Sequence, residues 1–129
     1  MTKLTHIDLA DSSFSEANVP IIVEALAKQS ELSYLNFRDG GLEEEGIEAL
    51  AIALTESSPP LVYLDMSGND ASEESLGPMS ELLGAVSSTL QEFIMDDSDI
   101  MDLDVIKETL LPALSKVRVT SIVCICSIH

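Results

Sequence analysis

The run DDSDIMDLDVIKE is the densest supply of cation-binding side chains in this chain. Asp97, Asp99 and Glu108 stand at the first, third and twelfth positions of a calcium loop, which needs oxygen ligands there. The pattern fails at the fifth position, Met101, and at the sixth, where Asp102 replaces the glycine of the tight turn. His6 has the chemistry of a general base, but the sequence places no identifiable nucleophile beside it, so a surface histidine is expected. Gly40-Gly41 lacks the flanking GxxxxGK[ST] or GxGxxG that cradles phosphate and reads as a turn. Cys124 and Cys126 lie two apart, too far along one strand face for a disulfide and without the companions a zinc site needs. No metal, no cofactor and no catalytic residue is therefore expected. Tyr34 and Tyr63 are candidates for an aromatic contact patch, although cross-strand stacking accounts for them equally well.

Those residues are placed by a pattern that recurs along the chain. LTHIDLADSSF starts at Leu4, LSYLNFRDGGL at Leu32, LVYLDMSGNDA at Leu61 and LQEFIMDDSDI at Leu90, spacings of 28, 29 and 29 residues. Apolar residues recur at offsets 0, 3 and 5: Leu4, Ile7, Leu9; Leu32, Leu35, Phe37; Leu61, Leu64, Met66; Leu90, Phe93, Met95. This LxxLxL pattern is the signature of a leucine-rich repeat, an α/β solenoid whose units form a horseshoe with parallel strands on its concave face. Offsets 3 and 5 share strand parity and point to the core, so the residues between them form a ladder on the opposite face. Its rungs are Thr5, Ser33, Val62, Gln91; His6, Tyr34, Tyr63, Glu92; Asp8, Asn36, Asp65, Ile94; and Ala10, Arg38, Ser67, Asp96, all expected to be exposed.

Helical spacing follows each strand. Val19, Ile22, Val23 and Leu26 fall at i, i+3, i+4 and i+7, as do Ile47, Leu50, Ala51 and Leu54, and Met79, Leu82, Leu83 and Val86. Asn18 before Val19-Pro20 reads as an N-cap with proline in the first turn, and Gly77-Pro78 predicts a similar entry to the third helix. A fourth helix, roughly Val105 to Lys116, is interrupted by Pro112. The units are thus about 4–31, 32–60, 61–89 and 90–118 of a single domain. Val119, Ile122 and Cys124 fit a partial fifth strand within 119–129; the alternative is that VRVTSIVCICSIH is an unrelated apolar tail. One such unit cannot bury its apolar face alone, so stability must come from stacking, and the uncapped ends read as those of a piece of a longer solenoid.

Charge narrows the partners. The chain carries 23 acidic against 6 basic residues, a net charge of −17, which repels nucleic acid and anionic membrane and attracts basic protein surfaces. The acids gather at Glu43 to Glu45, at Glu73 and Glu74, and from Asp96 to Asp104. They serve either as carboxylates favoured at helix N-termini or as a docking surface. No apolar stretch approaches the ~20 residues that span a bilayer, and the N-terminus has no basic start followed by an apolar run, so no secretory signal is read. A cytoplasmic protein is expected.

The blocks LTHIDLAD, LNFRDGGLEEEGIEALAIAL and ESSPPLVYLDMSGND resemble the repeats of the Ran GTPase-activating proteins, particularly the plant ones, most densely from Leu4 to Asn69. The resemblance implies the ribonuclease-inhibitor-like class of horseshoe, a role in regulating GTP hydrolysis by the small GTPase Ran in nucleocytoplasmic transport, and location at the nuclear envelope if part of a longer chain. It implies no active site, since such activators order the GTPase's own machinery. Asp8, Ser12, Asn36, Arg38, Asp65 and Asn69, with Tyr34 and Tyr63, are the partner-binding candidates. The family places an asparagine at offset 8 of the strand motif, where it can bond backbone; here offset 8 is Ser12, Gly40, Asn69 and Ser98, so Asn69 alone keeps it. The alternative is a non-catalytic acidic scaffold of ribonuclease-inhibitor type that holds a basic protein.

Overall fold

The computed structural model describes residues 4–69, 72–95 and 121–123. Strand and helix alternate through them: β1 (His6–Asp8), α1 (Val19–Ala27), β2 (Tyr34–Asn36), α2 (Glu44–Ser57), β3 (Tyr63–Asp65), α3 (Glu73–Ala85), β4 (Glu92–Ile94) and β5 (Ser121–Val123). The strands form one parallel sheet in chain order, β1-β2-β3-β4-β5. Parallel neighbours need a crossover, and α1, α2 and α3 supply it from β1 through β4. The result is an α/β arrangement of repeated strand-helix units. The calcium-loop residues Asp97, Asp99, Met101, Asp102 and Glu108, the rung residue Asp96, the fourth helix, Ser98, Cys124 and Cys126 lie outside the described residues.

Register follows the repeat. Ile7, Leu35, Leu64, Phe93 and Ile122 align across the sheet. In the second, third and fourth units the offset 0, 3 and 5 side chains are buried, with Leu32, Leu35, Leu61, Leu64, Leu90 and Phe93 sealed from solvent. The helices close over them with Val19, Val23 and Leu26 from α1, Ile47, Leu50, Ala51 and Leu54 from α2, and Met79, Leu82, Leu83 and Val86 from α3. Ile22, expected on the same stripe, is only partly buried. The first unit obeys the pattern but not the burial: Leu4 is 43% exposed, and Ile7 and Leu9 are partly covered. β1 has a strand on one side only, so its row loses half the contacts its equivalents enjoy.

Helix entry differs from the sequence expectation in two places. Asn18 stands at the N-cap of α1, but its backbone is already helical (φ −91°, ψ −18°) and its side chain makes no capping bond; Pro20 occupies the first turn as expected. α3 does not begin at Gly77-Pro78: it starts a full turn earlier, and Pro78 lies inside it. The Ser75 hydroxyl accepts from the Ser72 N–H (3.0 Å) and donates to the Ser72 carbonyl (2.7 Å), which fixes the start before the proline is reached. Pro78 removes a bond to the carbonyl of Glu74, an exposed residue whose backbone water can serve. α2 ends on Ser58 in the left-handed region (φ 44°), whose N–H reaches the Leu54 carbonyl at 2.8 Å.

Candidate functional site

The row at offset 4 ends the first three strands in the same way, whereas β4 ends on Ile94. Asp8 Oδ1 accepts from the Ala10 N–H at 3.0 Å, Asn36 Oδ1 from Arg38 at 3.0 Å and Asp65 Oδ1 from Ser67 at 2.9 Å. An acceptor two residues ahead turns the chain out of the strand, which is why Asp and Asn recur there. Backbone pairing continues past the strands, from Leu9 to Asn36 and from Phe37 to Asp65, both at 2.8 Å. Offset 7 follows with a left-handed residue in each of three units: Asp11 (φ 60°), Asp39 (φ 53°) and Gly68 (φ 68°). The same backbone path is thus repeated at the end of each of the three strands.

On that face three rings stack. Tyr34 and Tyr63 lie with centroids 4.3 Å apart and planes within 6°, and His6 covers Tyr34 at 3.8 Å and 8°. The tyrosine pair was expected from register; that His6 extends it was legible in the sequence, because His6 occupies the same rung. Below the stack, Asp8, Asn36 and Asp65 align. Arg38 Nη1 stands 3.6 Å from Asp65 Oδ2, and the Tyr63 hydroxyl reaches the same oxygen over a long 3.4 Å. Burial, and next the neighbouring Asp65 charge, push the Tyr63 phenol well above its ordinary range, with Tyr34 and Glu92 adding to it.

The face is not uniformly open. Asp8 is exposed and Tyr34, Asn36, Arg38 and Tyr63 are half-buried, but Asp65 and Ser67, read from the sequence as exposed rungs, are buried. Asp65 is buried where a backbone N–H and a phenol supply hydrogen bonds and a guanidinium a counter-charge in place of water. With Arg38 39% exposed, the ion pair itself contributes no more than about 1 kcal/mol.

Ser12 and Asn69 share offset 8 but not surroundings. Ser12 lies exposed in the loop after β1. Asn69 is buried, its Oδ1 accepting from the Leu42 N–H (3.0 Å) and its Nδ2 facing the carbonyls of Phe37 (2.9 Å), Met66 (3.0 Å) and Ser67 (3.2 Å). Its side chain joins two loops from within, so the direct partner contact expected of it is not open at its amide. Sequence reasoning passed over the offset-4 acceptors as turn makers, although Asp8, Asn36 and Asp65 spelled them out. It also passed over Phe14 and Leu42, which pack at the core from the loops; their shared offset 10, the last leucine position of the repeat pattern, was the available signal.

The arrangement therefore brings stacked aromatic rings, a guanidinium, and carboxylate and amide acceptors onto one face of the sheet. Among the described residues no group of three or more His, Cys, Asp and Glu is placed to hold a metal ion, and no helix is long and apolar enough to cross a membrane. No protein-family model matches the chain, and no curated protein matches it.

Proposed function

We propose that this chain is a leucine-rich-repeat solenoid of the ribonuclease-inhibitor-like class that binds a protein partner through the face carrying His6, Tyr34, Tyr63, Asn36 and Arg38, as a regulator of Ran GTP hydrolysis or a diverged copy of one. The observation that carries the reading is the alignment of the aromatic and Asp/Asn rungs across units of 28 to 29 residues. The ring spacings of 3.8 and 4.3 Å are shorter than the about 4.7–4.9 Å between neighbouring strands, as side chains are when they converge on the inner wall of a curved sheet. Tyr34 and Arg38 have the residue types that dominate binding energy at protein interfaces. No catalytic group of its own is assigned, and the place of action is the cytoplasm, or the nuclear envelope within a longer chain.

A second reading is favoured by one residue. Ser12 occupies the offset where the resembling activators carry asparagine, and with a net charge of −17 the chain would then act as an acidic scaffold for a basic protein. Single-turnover GTP hydrolysis by Ran, with the unaltered chain and with Ser12→Asn, separates the two. A faster rate with either form, greater for Ser12→Asn, supports the activator. No acceleration by either removes the activator and leaves the scaffold.

A further inference from the structure

A groove of about 270 Å³ opens where the N-terminal turns of α1 and α2 meet, away from the aromatic face. Its floor is apolar: Val19, Pro20 and Ala49, with Gly41 and Gly46 contributing no side chain. A Cβ at Gly46 would meet Val19 Cγ1 at 3.2 Å and Leu42 Cδ2 at 3.1 Å, so glycine is what lets the two helices lie this close beneath an open floor. The rim is acidic on every side, with Glu16 before α1 and Glu43 and Glu45 at the start of α2. The Glu16 and Glu45 side chains make no hydrogen bond or ion pair among the described residues. The two described basic side chains are engaged elsewhere, Lys28 with Glu24 and Arg38 with Asp65.

We infer that this groove receives an arginine side chain of a basic protein segment, stem on the floor and guanidinium between the Glu16 and Glu45 carboxylates. The volume falls just short of the ~300–1,000 Å³ of small-molecule sites but suits one long side chain. An aliphatic stem gains by covering Val19, Pro20 and Ala49 while the head stays at the polar rim. Arginine fits better than lysine, because its planar fork bridges two carboxylates at once. The surplus of 23 acidic over 6 basic residues raises the local concentration of such a segment before it docks.

The test uses the whole chain and an acetylated, amidated Leu-Arg-Leu-Arg-Leu peptide, with the citrulline analogue as its neutral control, followed by amide chemical shifts. The arginine peptide is expected to shift the amides of Gly41, Gly46 and Ala49 first, and the citrulline peptide to leave them still. Glu16→Gln and Glu45→Gln should each weaken binding about fivefold, and Ala49→Leu, which fills an exposed part of the floor without touching the charges, should abolish it. Shifts spread evenly over the acidic surface, equal binding of the citrulline peptide, or indifference to Ala49→Leu would each overturn the site. The hydrolysis assay with Ran is blind to this groove, so either proposal can fail without the other.

Discussion

The second and third units bend their chains out of the sheet at equivalent positions with opposite chemistry. In the third, Asn69 fills the turn with an amide that bonds the Leu42 N–H and three carbonyls. In the second, the same offset is Gly40, and the space is taken by the ring of Phe37: a Cβ on Gly40 would fall 2.2 Å from the ring. The N–H that Asn69 serves on Leu42 has its counterpart on Phe14, which donates instead to the Gly40 carbonyl at 3.0 Å, and the Phe14 and Phe37 rings pack at 5.9 Å. One turn is stapled to its predecessor by a polar network, the other by an aromatic plug. The backbone path is common to both; the means of satisfying it is not.

Breaking the staple should be the costlier. Asn69→Ala leaves the Leu42 N–H and the Met66 carbonyl buried without that partner, while the Phe37 and Ser67 carbonyls keep the N–H groups of Gly40 and Asp39; the loss is about 3 kcal/mol from the ~1–3 kcal/mol of each orphaned group, and urea denaturation of the chain reads it. A loss below about 1 kcal/mol would mean that water replaces the amide and that the two turns do not differ as described. Gly40→Ala should cost about 2 kcal/mol, within the ~1–3 kcal/mol typical of overpacking, because the Phe37 ring is wedged in the core. The double variant Phe37→Met/Gly40→Asn copies the third unit into the second and should regain most of that loss. If it is worse than Gly40→Ala alone, the plug and the staple are not interchangeable solutions.

The smallest effect sharpens the contrast between Asn36 and Asp65, which make the same turn with an amide and with a carboxylate. Burial and the Asp65 charge raise the Tyr63 phenol, so the folded state holds it neutral. The stability this contributes is complete below tyrosine's ordinary value of about 10 and is lost as pH rises through the folded value. In a Tyr34→Phe background, where Tyr63 is the remaining tyrosine of the two, Asp65→Asn should lower the pH of phenolate formation followed by ultraviolet absorbance. The shift should be partial, since burial is the larger cause. An unchanged titration would remove Asp65 from the account.

How much of this could be read beforehand divides along physical lines. Strand register and the burial of Leu35, Leu64 and Phe93 were legible because a two-residue side-chain period and a fixed repeat leave one solution. The outward row of Asp8, Asn36 and Asp65 was legible for the same reason. That Asp65 and Ser67 are buried was not, since burial there depends on what Arg38 and Tyr63 do across the row, which periodicity does not encode. The start of α3 was misplaced because Gly77-Pro78 is a strong local signal, while the Ser72–Ser75 pair that governs it uses two hydroxyls in place of the familiar serine-glutamate combination. The groove between α1 and α2 joins residues from separate units and becomes apparent only when those units stand side by side.

The Asn69 amide spans 27 residues of chain to Leu42 and 32 to Phe37. An amide proton in the loop of one unit is thereby shielded by a side chain belonging to the next, so its exchange with solvent reports on the neighbour's integrity as well as its own. Opening the third unit removes the acceptor that covers Leu42 in the second, so the stability of one is coupled to that of the other.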